Sequence, residues 1–227
     1  MLTLPLLALD ASSTRCVAGL WADGAMRGEI SREGPTGEAA LLPRLVADLL
    51  DAQSVAPRNL AGVAVVVGPG SFTGIRASLA FAHGLSLAAG CPIIAVTVAE
   101  ALAEGVGPRL GAGLWCALDA RKGRVFLSRS DDPADWLATS VDAAPMPDGT
   151  VLIAGDAAMP LCDALAARGA AVSPVAARRP ELAEVAAAAV RRLRGERPAL
   201  APLPLYIDPP RALPPRGGLR PPPGSAS

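Results

Sequence analysis

Gly68-Pro69-Gly70-Ser71-Phe72-Thr73-Gly74-Ile75-Arg76 is the segment of this sequence best equipped for local chemistry. Glycines let a backbone turn tightly. Ser71 or Thr73 can cap a helix that starts there, and the free N–H groups of its first turn could receive an anion. Two readings follow. One is a capped strand-to-helix turn. The other is a phosphate site formed by Gly68, Gly70, Ser71, Thr73 and Arg76, although no Gly-Lys-Ser/Thr follows, so it is not a Walker A loop. A second candidate is Asp10, followed by Ala11-Ser12-Ser13-Thr14, at the end of a predicted strand, where α/β sheets hold ligands. The hydroxyls, Ser12 among them, could bind phosphate, and Asp10 could hold a metal ion through water. The plainer reading is a polar turn in which Asp10 accepts backbone N–H bonds. Asp119 presents the same ambiguity, beside a small basic cluster of Arg121, Lys122 and Arg124.

Other chemistries lack their residues. His83 is the single histidine and falls inside a predicted helix, so a hydrolytic triad would have to use it. The four cysteines (Cys16, Cys91, Cys116, Cys162) form no CxxC pair, which fits a reducing compartment and not a zinc cage. Twenty-one basic residues balance twenty-one acidic ones, and aromatic residues are 3% of the chain. A stand-alone nucleic-acid binder relies on a basic excess and stacking rings, so the chain is not expected to hold RNA alone. No apolar run reaches the roughly 18–20 residues that span a bilayer. The first nine residues make a poor signal peptide, and a soluble cytoplasmic protein is expected.

The elements that must position these residues read as α/β. Strands are predicted at 4–10, 15–22 and 25–32, with Asp23-Gly24 as a hairpin turn. A helix at 38–53 follows, its face made by Leu41, Leu42, Leu45, Val46, Leu49 and Leu50. Residues 61–67 look like a strand buried on both sides, with a helix at 71–89 and a further strand at 92–97. The 71–89 helix is apolar nearly all round, with small residues at i, i+4 spacing (Gly74, Ser78, Ala82, Ser86). Such a helix is expected to be buried nearly all round, and the sheet of a small domain covers only one side. Small residues permit close helix approach, so a helix–helix docking surface is expected there. The second half repeats the first. Ala8-Leu9-Asp10-Ala11 returns as Ala117-Leu118-Asp119-Ala120, and Arg15 as Arg124, each 109 positions later. Strands at 150–154 and 170–175 and helices at 156–168 and 180–194 complete the repeat. The expected division is 1–105, 106–208 and a proline-rich mobile tail at 209–227, with 203–207 docking as a short extended piece.

Several pieces together resemble the TsaB (YeaZ) family. They are the 68–76 segment, Gly84-Leu85, Pro92, Ala99-Glu100-Ala101-Leu102, the opening Leu7-Ala8-Leu9-Asp10-Ala11-Ser12, Leu41-Leu42-Pro43, Asp119-Ala120-Arg121 and Pro204-Leu205-Tyr206. The match covers most of residues 4–213. It implies an α/β protein with a duplicated actin-like, sugar-kinase-like (ribonuclease H-like) fold of two βββαβα-type halves. It also implies a non-catalytic accessory subunit that binds and stabilises the catalytic TsaD, with the TsaE ATPase joining. Together these transfer a threonylcarbamoyl group to N6 of the adenosine next to the anticodon of tRNAs reading ANN codons. By resemblance the docking face comprises Leu41, Leu45, Leu49, Gly74, Ser78, Phe81, Ala82 and Leu85, and a homodimer through it would compete with the heterodimer. No metal or cofactor is expected in the lone chain, ATP or ADP belongs only to the assembled complex, and tRNA is met only through it. Many relatives have a histidine just before the Leu-Leu-Pro helix, where this chain has Gly37 or Glu38. The contrasting expectation is a stand-alone ATPase or small-molecule kinase of the same fold, which needs a working phosphate loop in each half.

Overall fold

The computed structural model describes residues 4–34, 38–107, 111–129 and 135–208. The chain opens with an antiparallel run, β1 (Leu6–Asp10), β2 (Arg15–Ala22) and β3 (Ala25–Glu33). A 3-10 turn at Glu38–Leu41 leads into α1 (Leu42–Ala52). Pro43 lies in the first turn of α1, where its missing N–H costs nothing. Then come β4 (Gly62–Gly68), α2 (Phe72–Ala89), β5 (Ile93–Thr97) and α3 (Val98–Val106). The second half supplies β6 (Gly113–Asp119), β7 (Arg124–Ser128), β8 (Trp136–Ser140), β9 (Val151–Ala154), α4 (Ala158–Ala167), β10 (Val172–Pro174) and α5 (Leu182–Leu193).

The two sheets have one topology. The first runs β3-β2-β1-β4-β5 and the second β8-β7-β6-β9-β10. In each, the first strand pairs antiparallel with the second and parallel with the fourth, so the duplication read from four residues extends through both sheets. Side chains alternate across the first sheet. Leu7, Leu9, Val63 and Val65 face α1 and α2, whereas Leu6, Ala8, Ala64 and Val66 face α3 and α5. That is why β1 and β4 are buried along their whole length. A third cluster, around Leu127, Ile153, Leu161 and Leu165, lies between the second sheet and α4.

The structure amends the expectation in two places. The helices α3 and the strand β8 were absent from it. Helix α5, expected with the second unit, packs against α3 and β1, β2, β4 and β5 of the first half, so the chain returns there. Helix α2 is buried only along Gly74, Ile75, Ser78, Leu79 and Ala82, and its opposite side is open. After α5 an extended strap, residues 198–208, runs back over the first half. Leu200 and Leu205 join its core, and the N–H of Leu205 donates to the carbonyl of Val67 at 2.9 Å. The expected extended piece is thus present, and the tail at 209–227 lies outside the described residues. No described helix is long and apolar enough to cross a membrane.

Candidate functional site

The glycine-rich segment joins β4 to α2 through a cis Gly68–Pro69 peptide. Ser71 is the N-cap of α2, its Oγ accepting from the N–H of Gly74 at 3.2 Å. The N–H of Ser71 donates to the carbonyl of Ser12 at 2.7 Å. The loop after β1 therefore lies directly over the start of α2, and two glycines make room for it. A Cβ on Gly70 would stand 2.2 Å from the Ser12 carbonyl oxygen, and one on Gly74 2.0 Å from that of Ala11. Backbone on both sides cannot shift cheaply, so a side chain at Gly74 costs about 3 kcal/mol. The Ser12 carbonyl thus takes the Ser71 N–H, and the Ser71 hydroxyl takes that of Gly74. The geometry is that of the capped turn. Gly68, Gly70, Ser71 and Ser12 are brought together as structure, Thr73 is exposed, and Arg76 is bonded to Tyr206.

Asp10 is 1% exposed, and its Oδ1 accepts the N–H of Ser12 at 2.8 Å. Burial raises its carboxyl above the ordinary value, partly offset by the Ser12 hydrogen bonds and the charge of Arg15. At the second hairpin the same turn bond recurs on an exposed acid, the N–H of Arg121 donating to Oδ1 of Asp119 at 2.7 Å. Both acids are turn-formers. The repeated arginines differ in partner but share a task. Arg15 donates to the carbonyl of Pro180 at 2.8 Å and to Glu181 at 3.1 Å. Arg124 grips Asp208 with two bonds, 2.7 and 3.0 Å. Each ties its hairpin to the C-terminal quarter of the chain. Arg121 and Lys122 adopt left-handed backbone at the exposed tip of the second hairpin. Among the described residues no cluster of three or more His, Cys, Asp or Glu side chains is arranged to hold a metal ion.

Of the residues expected to dock a partner, five are turned inward. Leu45, Leu49, Gly74, Ser78 and Ala82 are buried in the chain's own core, because α1 and α2 use them against β2 and β4. Leu41 is 43% exposed, while Phe81 and Leu85 are part-buried. The open side of α2 instead carries Phe72, Arg76, Ala80, His83, Gly84 and Leu87. The strap runs antiparallel along this side. Tyr206 meets Phe72 and Arg76, and the Pro202 carbonyl oxygen sits 3.2 Å from Nε2 of His83. Phe72, Leu87, Leu203 and Tyr206 all stand among the exposed large apolar side chains. Sequence reasoning missed these four. The signal was there in Phe72, Arg76, Ala80, His83 and Leu87, which recur every three or four positions on one helical side.

A duplicated α/β chain of two like five-stranded sheets, with one helix left partly bare, defines the class. The family model of TsaD, tRNA N6-adenosine threonylcarbamoyltransferase, matches residues 38–150. The Escherichia coli tRNA threonylcarbamoyladenosine biosynthesis protein TsaB is 30% identical over 146 residues, 63% of this chain and 63% of its own length. Its Bacillus subtilis namesake is 36% identical over 81 residues, 36% of this chain and 35% of its own. The chain therefore spans less than two thirds of the length of the curated relatives it matches. YeaZ from Pseudomonas aeruginosa superposes with a TM-score of 0.69 at 25% identity, covering 90% of this chain and all of that one. The relatives named TsaB and the solved YeaZ structure support the TsaB (YeaZ) family as the one this chain resembles.

Proposed function

We propose that this chain is the accessory subunit of the machinery that makes N6-threonylcarbamoyladenosine in tRNAs reading ANN codons. It binds and stabilises the catalytic TsaD, and TsaE joins that pair. The names and function of the TsaB relatives support the pathway. The observation that carries the docking role is the open side of α2, where Phe72 is 50% and Leu87 87% exposed on a helix with no acidic residue. A helix this apolar leaves large side chains in water only at a cost of about 1.5–3 kcal/mol each relative to burial, which a partner can recover. Against a stand-alone kinase stands the close packing of the Asp10 turn on the start of α2, where the Ser12 carbonyl takes the Ser71 N–H and Gly70 and Gly74 leave no room for a side chain.

The test mixes the purified chain with TsaD of the same organism and follows the assembly by size-exclusion chromatography with light scattering. Leu87→Asp is the informative variant, because its side chain touches little of the chain's own core and the fold should survive. The wild type is expected to form a heterodimer and the variant to lose most of it. A wild-type chain that stays alone while turning over ATP would put the kinase reading in its place.

A further inference from the structure

Seven aromatic side chains occur in the chain, and only two of them, Phe72 and Tyr206, are largely exposed. They adjoin, with ring centroids 5.8 Å apart, and Arg76 sits between α2 and the strap as their common neighbour. Its guanidinium carbon lies 3.7 Å from the centre of the Phe72 ring and 5.4 Å from that of Tyr206. Its Nε donates to the Tyr206 hydroxyl at 2.6 Å. An arginine side chain ordinarily has many rotamers to lose on binding, whereas this one is held in a plane by a ring beneath and a hydroxyl beside it. What remains open is the edge formed by Nη1 and Nη2. No described carboxylate pairs with it, and α2 has none to offer.

We propose that Arg76 is a preorganised receptor for a carboxylate, an Asp or Glu side chain of the partner subunit, gripped through Nη1 and Nη2 with Phe72 and Tyr206 as its apolar rim. This inference rests on the docking role proposed above and names the strap as part of the docking surface. Two parallel N–H···O bonds match carboxylate geometry, and holding the guanidinium beforehand removes part of the ordering cost of binding. Rings beside an arginine are also the composition of interface anchors. A nucleic-acid phosphate would fit the same edge. The chain's zero formal charge and the lack of a second arginine or any lysine on α2 favour a protein carboxylate.

The experiment measures heterodimer affinity by calorimetry with full-length chain and TsaD of the same organism, for wild type, Arg76→Ala, Arg76→Lys and Tyr206→Phe. Melting temperatures are taken alongside to show that each variant is folded. Arg76→Ala is expected to weaken binding about 30-fold or more. Arg76→Lys should lose about tenfold although its charge is kept, because an ammonium cannot make the paired planar bonds. Tyr206→Phe should lose a few-fold by releasing the guanidinium. Binding by Arg76→Ala or Arg76→Lys equal to wild type overturns the inference while leaving the docking role intact. A wild type that binds no TsaD overturns both. Should Arg76→Ala abolish only self-association, or only a steeply salt-dependent tRNA complex, the occupant is a second copy or a phosphate, and the inference fails.

Discussion

Asp10 is the residue whose chemistry the sequence left most open, and its surroundings decide it. Buried and bonded to the N–H of Ser12, it serves the turn. Because burial raises its carboxyl, the native state favours the protonated form. The stability tied to that proton is fully present below the ordinary value of 3.8 and is lost as pH rises through the raised native value. Asp10→Asn keeps an acceptor for Ser12 and carries no charge. It is expected to unfold at a higher temperature than wild type at neutral pH and to show a flatter pH profile above pH ~4. Melting curves of both proteins across that range check this; parallel profiles would refute it. The turn at Asp10 and its copy at Asp119 were legible because Asx turns are local. The partners of Arg15 and Arg124 were not. Glu181 and Asp208 are distant in sequence, and no local rule couples them.

At the scale of elements, α3 shows a signal present and overlooked. Thr97 and Glu100 form a capping box, each side chain bonded to the other's backbone N–H, at the start of a nine-residue helix too short for a clear period. Glu100, 3% exposed, also pairs with Arg192 of α5, and Arg192 reaches the Ala95 carbonyl. With Arg191–Glu104 at 3.1 Å and Arg197, just after α5, on Glu104 at 3.0 Å, these ion pairs bolt α5 and the turn after it to α3. Glu100→Ala would strand a buried guanidinium and lose the cap, a cost of about 3–5 kcal/mol. Denaturant titration should register that loss, and Glu104→Ala, whose partners are nearer water, should cost well under half of it. Equal small effects would mean the network is ornamental. Helix α2 poses a different limit. Hydrophobicity on every side announces contact on every side, but a sequence does not say whether the contact comes from the same chain.

For the whole molecule, the architecture was legible from repetition and the connectivity was not. Four matched residues at the head of each half pointed to two like sheets, whereas nothing local foretold that α5 and the strap cross back to the first. Two halves held this way should not melt separately. Scanning calorimetry is expected to give one transition with calorimetric and van't Hoff enthalpies in agreement. Two resolved peaks would show that the crossing segments add little to cohesion.

The return of α5 to the first sheet also bears on synthesis. Until residues 182–193 have left the ribosome, Leu6, Ala8, Val17, Ala64 and Val66 have one flank covered only in part, by α3, because Leu182, Val185, Ala186 and Ala189 complete that layer. The N-terminal half, emerging first, is therefore a sheet with a partly wet apolar side and cannot mature early. A nascent chain cut short by a frameshift or premature stop before α5 would keep that side open and present itself to chaperones and proteases instead of to a partner.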